Sequence, residues 1–193
     1  MPKIVTEDVG KFSQHYPRVA VIITTSAGGK DGAMTAAWHS AVSAKPPLYG
    51  VAIKSERFSY QLITKSREFA INFIASEKAS LAAAIGGISG QQMDKFQRLN
   101  IQKESPLKTT APILKDAYTA YECKLVDNKP YGDHIWVVGE IVAVHLLVEA
   151  FSAAEVLAID KVEPLLYLGS DFYASTDKSS VRFIERGNLD QSN

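Results

Sequence analysis

The amino-acid sequence predicts a mainly β fold with short helices, arranged as a closed or partly open barrel. Short runs of β-branched and aromatic residues recur along the chain and are bounded by Gly, Pro, Asp and Asn, as is typical of strands. The connections between several runs are too short to contain crossover helices, which indicates a largely antiparallel sheet. Helical patterns are few and lie mainly on either side of one strand, which favours a barrel over a doubly wound sheet.

The predicted strands are six segments of this composition. They cover residues 18–25, 33–43, 48–53, 68–74, 118–126 and 134–148. Residues 128–133, between the last two, contain Pro130 and Gly132, which suit a hairpin connection. Those two strands should therefore pair antiparallel. The Lys45-Pro46-Pro47 sequence should form another tight connection, because consecutive prolines cannot continue a helix.

The predicted helices are short and cover residues 59–65, 77–85 and 90–96. Ser76 is placed to cap the second helix, and Gly86 and Gly87 are placed to end it. The chain has no internal repeat, low-complexity segment or domain linker, so residues 1–193 are expected to form one domain. The polar tail at about 186–193 is expected to be frayed.

The composition excludes several classes of function. Lys+Arg and Asp+Glu balance at 21 each, so no overall field attracts nucleic acid or an anionic membrane. The single cysteine, Cys123, excludes an intramolecular disulfide and Cys-rich zinc patterns, and His15, His39 and His145 lack metal-ligand spacing. Even the apolar run at 135–148 is interrupted by polar residues, and the N-terminus lacks the pattern of a secretion signal. A cytoplasmic protein without a metal site is expected.

Residues 32–43 carry an unusual alternation of side chains. The face expected to enter the core holds Met34, Ala36, Trp38, Ser40 and Val42. The opposite face is small and polar for a barrel wall and holds Thr35, Ala37, His39, Ala41 and Ser43. Small side chains let a flat ligand lie close to backbone N–H groups. Tight packing against a neighbouring strand or subunit accounts for the same residues, so both interpretations remain open.

Three further segments contain groups suited to binding or proton transfer. Arg57 and Ser59 lie where a strand ends and a helix begins, which suits a phosphate dianion, although a solvated turn with a helix cap has the same composition. Ser89 and Lys95 could form a second anion clamp, but their glycine-containing segment follows a predicted helix and is not a dinucleotide fingerprint. His134 begins a strand after a turn, where histidine is most often a surface residue. Proton transfer by a histidine near neutral pH would also suit a redox site.

In their order and spacing, these segments resemble the flavin reductase-like family of FMN-binding split barrels. That family includes flavin reductase components of two-component monooxygenases, flavoredoxins and archaeal ferric reductases. The resemblance runs from about Tyr16 to Tyr173, and no single segment is decisive. Its carriers are Tyr16-Pro-Arg18, Thr24-Thr25, Met34-Thr-Ala-Ala-Trp38, Val42-Ser-Ala-Lys-Pro-Pro-Leu48, Arg57-x-Ser59, Glu68-Phe-Ala-Ile-Asn72, Ser89-Gly90, Asp94-Lys-Phe96, Glu122-Cys123, Gly132-Asp-His134, Val138-Gly-Glu140 and Pro164-Leu-Leu-Tyr167.

The resemblance implies a Greek-key split barrel that forms a homodimer, with FMN bound near the subunit interface. Arg57 and Ser59 would hold the phosphate, with added contacts from Ser89 and Lys95. His134 would lie near the ring face where nicotinamide docks. The isoalloxazine ring and ribityl chain would be lined, largely through backbone groups, by Met34, Thr35, Ala36, Ala37 and Trp38.

Two residues depart from the family pattern. Gly32 stands where many members carry Asn, and Ala37 stands where many carry Ser. Each lacks a side chain that could donate or accept a hydrogen bond, so these departures bear on flavin affinity and preference.

The implied activity is that of an oxidoreductase in which NADH or NADPH reduces bound FMN. Electrons would then pass to free flavin, ferric iron or a protein acceptor. An electron-carrier flavoprotein that a partner reduces needs the same pocket, and so does a non-catalytic FMN-binding module, so the residues leave these alternatives open. Nucleic-acid binding is disfavoured by the neutral net charge and by the lack of a basic, aromatic-studded strand.

Overall fold

The structure, a computed structural model, describes residues 1–184, so the tail predicted at about 186–193 lies outside the described residues. The strands are β1 (Arg18–Val19), β2 (Val21–Ala27), β3 (Lys30–Ala36), β4 (His39–Ala44), β5 (Pro47–Ile53), β6 (Glu68–Ile74), β7 (Lys103–Glu104), β8 (Ile113–Leu114), β9 (Ala117–Tyr131), β10 (His134–Leu146), β11 (Leu166–Gly169) and β12 (Phe172–Ala174). The helices are α1 (Phe58–Ser66), α2 (Ala79–Gly87) and α3 (Lys95–Arg98), with 3₁₀ turns at Ser76–Lys78, Val148–Ala150 and Lys178–Ser180.

A seven-stranded antiparallel sheet forms the barrel, in the order β3-β2-β6-β9-β10-β5-β4. Its two edge strands, β3 and β4, follow each other in the chain and are separated only by Ala37 and Trp38. The sheet therefore curves until its edges approach each other at this point, which makes a split barrel. Strands β1, β11 and β12 form a separate three-stranded sheet, and β7 pairs with β8. The predicted mainly β, antiparallel split barrel of Greek-key type with short helices is confirmed.

Strand β2 is buried on both faces and lies at the centre of the fold. Val21 and Ile23 belong to a hydrophobic cluster inside the barrel, whereas Ile22 belongs to a second cluster that includes residues of α2. Each fully buried aliphatic side chain of this size contributes about 1.5 to 3 kcal/mol. The two clusters fix β3 and the flanking helices, and these elements carry most of the candidate site residues.

The prediction of one strand over residues 33–43 is wrong, because the chain changes direction at Ala37 and Trp38. The backbone carbonyl of Trp38 accepts a hydrogen bond from the Ala52 N–H at 2.9 Å. The indole Nε1 of Trp38 donates to the Tyr16 hydroxyl at 2.9 Å. These two long-range contacts hold the turn.

The predicted division into two faces therefore applies only before the turn. Met34 and Ala36 contribute to the cluster inside the barrel, as expected for the core face. Ser40 and Val42 lie on β4, beyond the turn, and are exposed, so their placement in the core is wrong.

The predicted hairpin between β9 and β10 is confirmed, but its turn is shorter than residues 128–133. Strand pairing continues to Tyr131, opposite His134, so only Gly132 and Asp133 lie between the strands. Gly132 has a φ of 62°, a left-handed conformation that glycine adopts at no steric cost.

The helices differ from prediction mainly at their ends. Ser76 begins a 3₁₀ turn without a side-chain cap, and α2 then runs through Gly86 and Gly87. The helix predicted over 90–96 is instead a turn followed by α3, which begins at Lys95 because the Asp94 carboxylate accepts from the Gln97 N–H at 3.1 Å. Within residues 1–184, none of the helices has the length and apolar character needed to span a membrane.

Candidate functional site

A cavity of about 560 Å³ lies between the end of β3, the start of α1 and the segment that follows α2. It brings together residues from Tyr16 to His134, which are far apart in the chain, because β3 and α1 pack on each other and α2 packs on β3. Every site residue predicted from the sequence lines this one cavity: Met34, Thr35, Ala36, Ala37, Trp38, Arg57, Ser59, Ser89, Lys95 and His134.

The start of α1 supplies hydrogen-bond donors to the cavity. Arg57 is the extended N-cap residue of the helix, and the first turn contains no acidic residue. The N–H groups of Phe58 and Ser59 are at helix positions that have no intrahelical acceptor. Ser59 is buried, whereas the Arg57 side chain is exposed at the mouth. The arrangement favours an anion, since the helix dipole and a guanidinium act together.

Lys95 is a buried cation that also lines the cavity and is only 5% exposed. Its Nζ donates to the carbonyl oxygens of Ala33 at 2.8 Å and Ile85 at 2.6 Å, which ties β3 to α2. Burial, together with the positive charge of Arg57, lowers the pKa of Lys95 to about 8. An ammonium has three donors, so one remains for a ligand.

The cavity therefore has an excess of positive charge. Within the described part of the chain, neither Arg57 nor Lys95 forms an ion pair with a carboxylate. Glu56 also lines the cavity, but it is exposed and takes part in none of the ion pairs found there. A bound anion would supply the missing counter-charge and favour the protonated form of Lys95.

The part of the lining at the end of β3 is made of small side chains and ordered backbone. The Thr35 hydroxyl donates to the Ala82 carbonyl at 2.6 Å, which fixes the end of β3 against α2. Ala36 and Ala37 leave the backbone of this segment accessible to a flat ligand. Gly90 lines the cavity where a Cβ would lie 2.7 Å from a ring carbon of Phe58, so no larger residue fits there without movement of that ring.

His134 enters the cavity beside Trp38, with the two ring centroids 4.9 Å apart. Its Nδ1 lies 2.7 Å from the Asp133 carboxylate, and Asp133 also pairs with Lys54 at 3.4 Å. The hydrogen bond from His134 and the nearby Lys54 lower the pKa of Asp133. The carboxylate therefore remains ionised and orients the imidazole, whose side chain is 19% exposed.

Two residues singled out in the sequence lie elsewhere. Gly32 is outside the cavity lining, and a Cβ there would approach Leu62 to 2.8 Å, so the position is closed by packing under α1.

His39 donates from Nε2 to the Val19 carbonyl at 2.9 Å and accepts at Nδ1 from the Tyr49 hydroxyl at 2.8 Å. Burial lowers the pKa of His39, and the neutral ring is a structural link between β4, β5 and β1.

Several lining residues were not predicted from the sequence. Position in the chain was the signal that could have identified five of them, which belong to or adjoin segments quoted for the resemblance: Tyr16, Glu56, Phe58, Ile88 and Gly90. The remainder enter through tertiary packing and carry no recognisable pattern: Ala52, Ile53, Lys54, Ile85 and Gly86.

Comparison with known proteins identifies the family of the chain. The flavin reductase like domain matches residues 13–176. A protein of Aeropyrum pernix is 34% identical over 157 residues, which cover 80% of this chain but only 58% of that protein. An FMN reductase (NADH) of Bradyrhizobium diazoefficiens is 26% identical over 125 residues, or 65% of this chain and 67% of that protein. The FMN-binding protein of Thermus thermophilus has a TM-score of 0.84 at 28% identity, with 94% of this chain and 99% of that chain covered. The chain belongs to the flavin reductase-like family.

Proposed function

We propose that the chain binds FMN in this cavity and acts as an oxidoreductase in which NADH or NADPH reduces the flavin. Electrons then pass to free flavin, ferric iron or a protein acceptor. One observation carries the proposal: a single cavity combines a cationic, donor-rich end with a wall of small residues. That combination suits a molecule with a phosphate at one end and a flat ring at the other.

The residues present fit FMN. The volume of about 560 Å³ is within the range of small-molecule sites. Arg57, Ser59 and the first N–H groups of α1 would hold the phosphate dianion, and the free donor of Lys95 would add a contact. Bound FMN would supply the capacity to accept two electrons from a nicotinamide and to pass them on.

The chain's own contribution to the reaction is orientation. The backbone of residues 34–38 would position the ring, and the Trp38–Tyr16 hydrogen bond holds that segment in place. His134, fixed by Asp133, would position nicotinamide on the exposed face of the ring. Correct placement of the two rings accelerates hydride transfer without a covalent protein intermediate. The Bradyrhizobium relative is an NADH-dependent FMN reductase, which supports the same class of donor here.

A homodimer is part of the proposal. A run of exposed apolar residues ends β10 and continues into the following turn, where Val144, Leu146, Leu147 and Val148 are 49 to 73% exposed. A second copy of the chain would remove this surface from water. Light scattering should give a dimer at about micromolar concentration, with FMN stabilising it by linkage. A monomer that holds FMN stoichiometrically would contradict dimer formation.

The binding step is tested by mixing the purified protein with FMN and removing free ligand by gel filtration. The protein should retain the yellow colour of FMN and should retain riboflavin more weakly, because riboflavin lacks the phosphate. A colourless protein that takes up neither flavin would overturn the proposal.

A further inference from the structure

A second cavity adjoins the proposed flavin site and is lined mainly by aromatic rings. It has a volume of about 620 Å³ and shares Trp38, Ala52 and His134 with the first cavity. Its other lining residues are Phe12, Tyr131, Asp133 and Trp136. We refer to it as the aromatic cleft. Both tryptophans of the chain line it.

The aromatic cleft has a fixed floor and a more accessible rim. Trp136 packs over Gly50, where the indole occupies the space that a Cβ would need. Trp38 is held through its Nε1 hydrogen bond at the turn after β3. Phe12 and Tyr131 form the rim and are 51% and 66% exposed. The Phe12 ring stands edge-on to Trp38, with centroids 5.6 Å apart and an interplanar angle of 88°.

The charge of the aromatic cleft differs from that of the flavin cavity. Its lining contains the Asp133 carboxylate and contains neither lysine nor arginine. Asp133 is paired with Lys54 at 3.4 Å, and the lining offers no lysine or arginine to a phosphorylated ligand, whereas offset and edge-to-face contacts with four rings favour a flat apolar molecule. The two cavities thus select for different chemistry on either side of Trp38 and His134.

We propose that the aromatic cleft binds an uncharged planar aromatic electron acceptor of the quinone class. This inference rests on the proposed function, since the electrons come from reduced FMN in the adjoining cavity. The quinone takes up two electrons and two protons and becomes a hydroquinone, while reduced FMN returns to the oxidised state. The reduced flavin loses the two electrons with a proton, and the second proton comes from solvent or through His134.

His134 is suited to that proton transfer because both cavities contain it. Its Nδ1 is engaged by Asp133 at 2.7 Å, and none of the side-chain hydrogen bonds found within residues 1–184 uses its Nε2. A protonated imidazole held in this way can donate from Nε2 to a carbonyl oxygen.

Binding is tested first by fluorescence, because both tryptophans lie in the aromatic cleft. The purified protein is titrated with 1,4-naphthoquinone, with and without FMN, and quenching is corrected with free N-acetyltryptophanamide. Saturable quenching is expected, and Phe12→Ala and Tyr131→Ala should each weaken it about fivefold, the usual size of an aromatic contact. Phe172→Ala, which removes an exposed ring on β12, is the matched control and should change nothing. If all three variants bind 1,4-naphthoquinone with equal affinity in this titration, the proposal is overturned.

Electron transfer is tested with FMN-loaded protein that has been reduced by light, so the result does not depend on NADH or NADPH. Reoxidation by 1,4-naphthoquinone should saturate, and both rim variants should raise the half-saturating concentration about fivefold. Ferricyanide, a charged acceptor without a ring, is measured on each variant to detect any loss of FMN. If the rim variants instead weaken only the binding of NADH or NADPH, the cleft binds the dinucleotide and the quinone proposal fails. Failure of FMN to bind at all would refute the proposed function separately, since the fluorescence titration does not require flavin.

Discussion

Arg57 and Lys95 are both cations of the cavity that we propose binds FMN, but their surroundings give them different roles. The Arg57 side chain is exposed and has no carboxylate partner among the described ion pairs, so it can close on a ligand. Lys95 already holds two carbonyl oxygens and supports the cavity wall as well as its charge. Substitution of Arg57 should therefore change ligand affinity alone, whereas substitution of Lys95 should change both ligand affinity and the stability of the cavity wall.

Replacement of Arg57 tests the phosphate contact. Arg57→Ala should weaken FMN binding about tenfold to 150-fold, because a charge-assisted hydrogen bond contributes about 1.5 to 3 kcal/mol. Riboflavin binding should stay nearly unchanged, since riboflavin has no phosphate. Arg182→Ala, an exposed arginine outside the cavity, is the control for both titrations. Equal losses for the two flavins would refute the phosphate role.

The lowered pKa of Lys95 predicts a pH dependence of FMN affinity. In the free protein, the ammonium loses its proton as pH rises through about 8, whereas a bound phosphate dianion favours the protonated form. The contribution of Lys95 is therefore present below about pH 8 and lost above it. Fluorescence titrations should show FMN affinity falling as pH rises above about 8. Riboflavin should show no such fall, and a parallel fall for both ligands would exclude Lys95 as the cause.

Replacement of His134 distinguishes a role in the reaction from a structural role in the hairpin. If the imidazole positions nicotinamide, His134→Ala should slow hydride transfer from NADH or NADPH about tenfold or more, with FMN affinity changed by less than about threefold. Anaerobic stopped-flow of the FMN-loaded variant measures this rate, and thermal unfolding measures stability. Lower stability with an unchanged rate per bound flavin would leave His134 as a turn residue only.

At the scale of elements, a buried carboxylate holds the loop between β7 and β8. Glu122 on β9 is fully buried, and its two oxygens accept from the N–H groups of Leu107, Lys108 and Thr109. The ring of His145 on β10 lies 2.7 Å away and donates as well. Burial alone would raise the pKa of Glu122, but these hydrogen bonds outweigh it and lower the pKa to about 2.

The folding stability should therefore fall at acidic pH, where Glu122 becomes protonated. Its pKa is depressed in the folded state, so the ionised carboxylate contributes on the order of 3 kcal/mol to the free energy of unfolding. This contribution is complete above about pH 4.5 and is lost as pH falls towards about 2. Glu122→Gln should cost about 2 to 4 kcal/mol near neutral pH, since an amide cannot accept all of these bonds. Urea unfolding measures both effects. Glu140→Gln, an exposed position on β10, should change stability by less than about 0.5 kcal/mol, and an equal loss there would contradict this account.

The elements differ in how far the sequence predicts them. Strands β5 and β6 and the β9–β10 hairpin follow from local composition, because their residues alternate or are bounded by turn residues. The break at Ala37 and Trp38 does not, since it depends on bonds to Tyr16 and Ala52 from other parts of the chain. Strands of two to four residues, such as β7 and β8, are too short to produce a periodic pattern.

At the scale of the whole molecule, the curvature of the sheet determines the site. The two edges of the barrel approach each other at Ala37 and Trp38, and Trp38 lines both the cavity proposed to bind FMN and the aromatic cleft. The segments that carry the family resemblance contain all ten candidate residues, and these line the cavity that we propose binds FMN. The aromatic cleft could not be predicted in that way, since Phe12 and Trp136 come to line one cleft only through the fold.

The central claim is that the protein binds FMN and that a nicotinamide nucleotide reduces it directly. The most direct measurement is an anaerobic titration of FMN-loaded protein with NADH and with NADPH, followed by the visible absorbance of the flavin. We expect one of the two nucleotides to bleach the bound flavin stoichiometrically, at a rate that saturates with nucleotide concentration. FMN that remains oxidised with both nucleotides, yet bleaches with a chemical reductant, would contradict the claim and leave an electron carrier reduced by a partner protein.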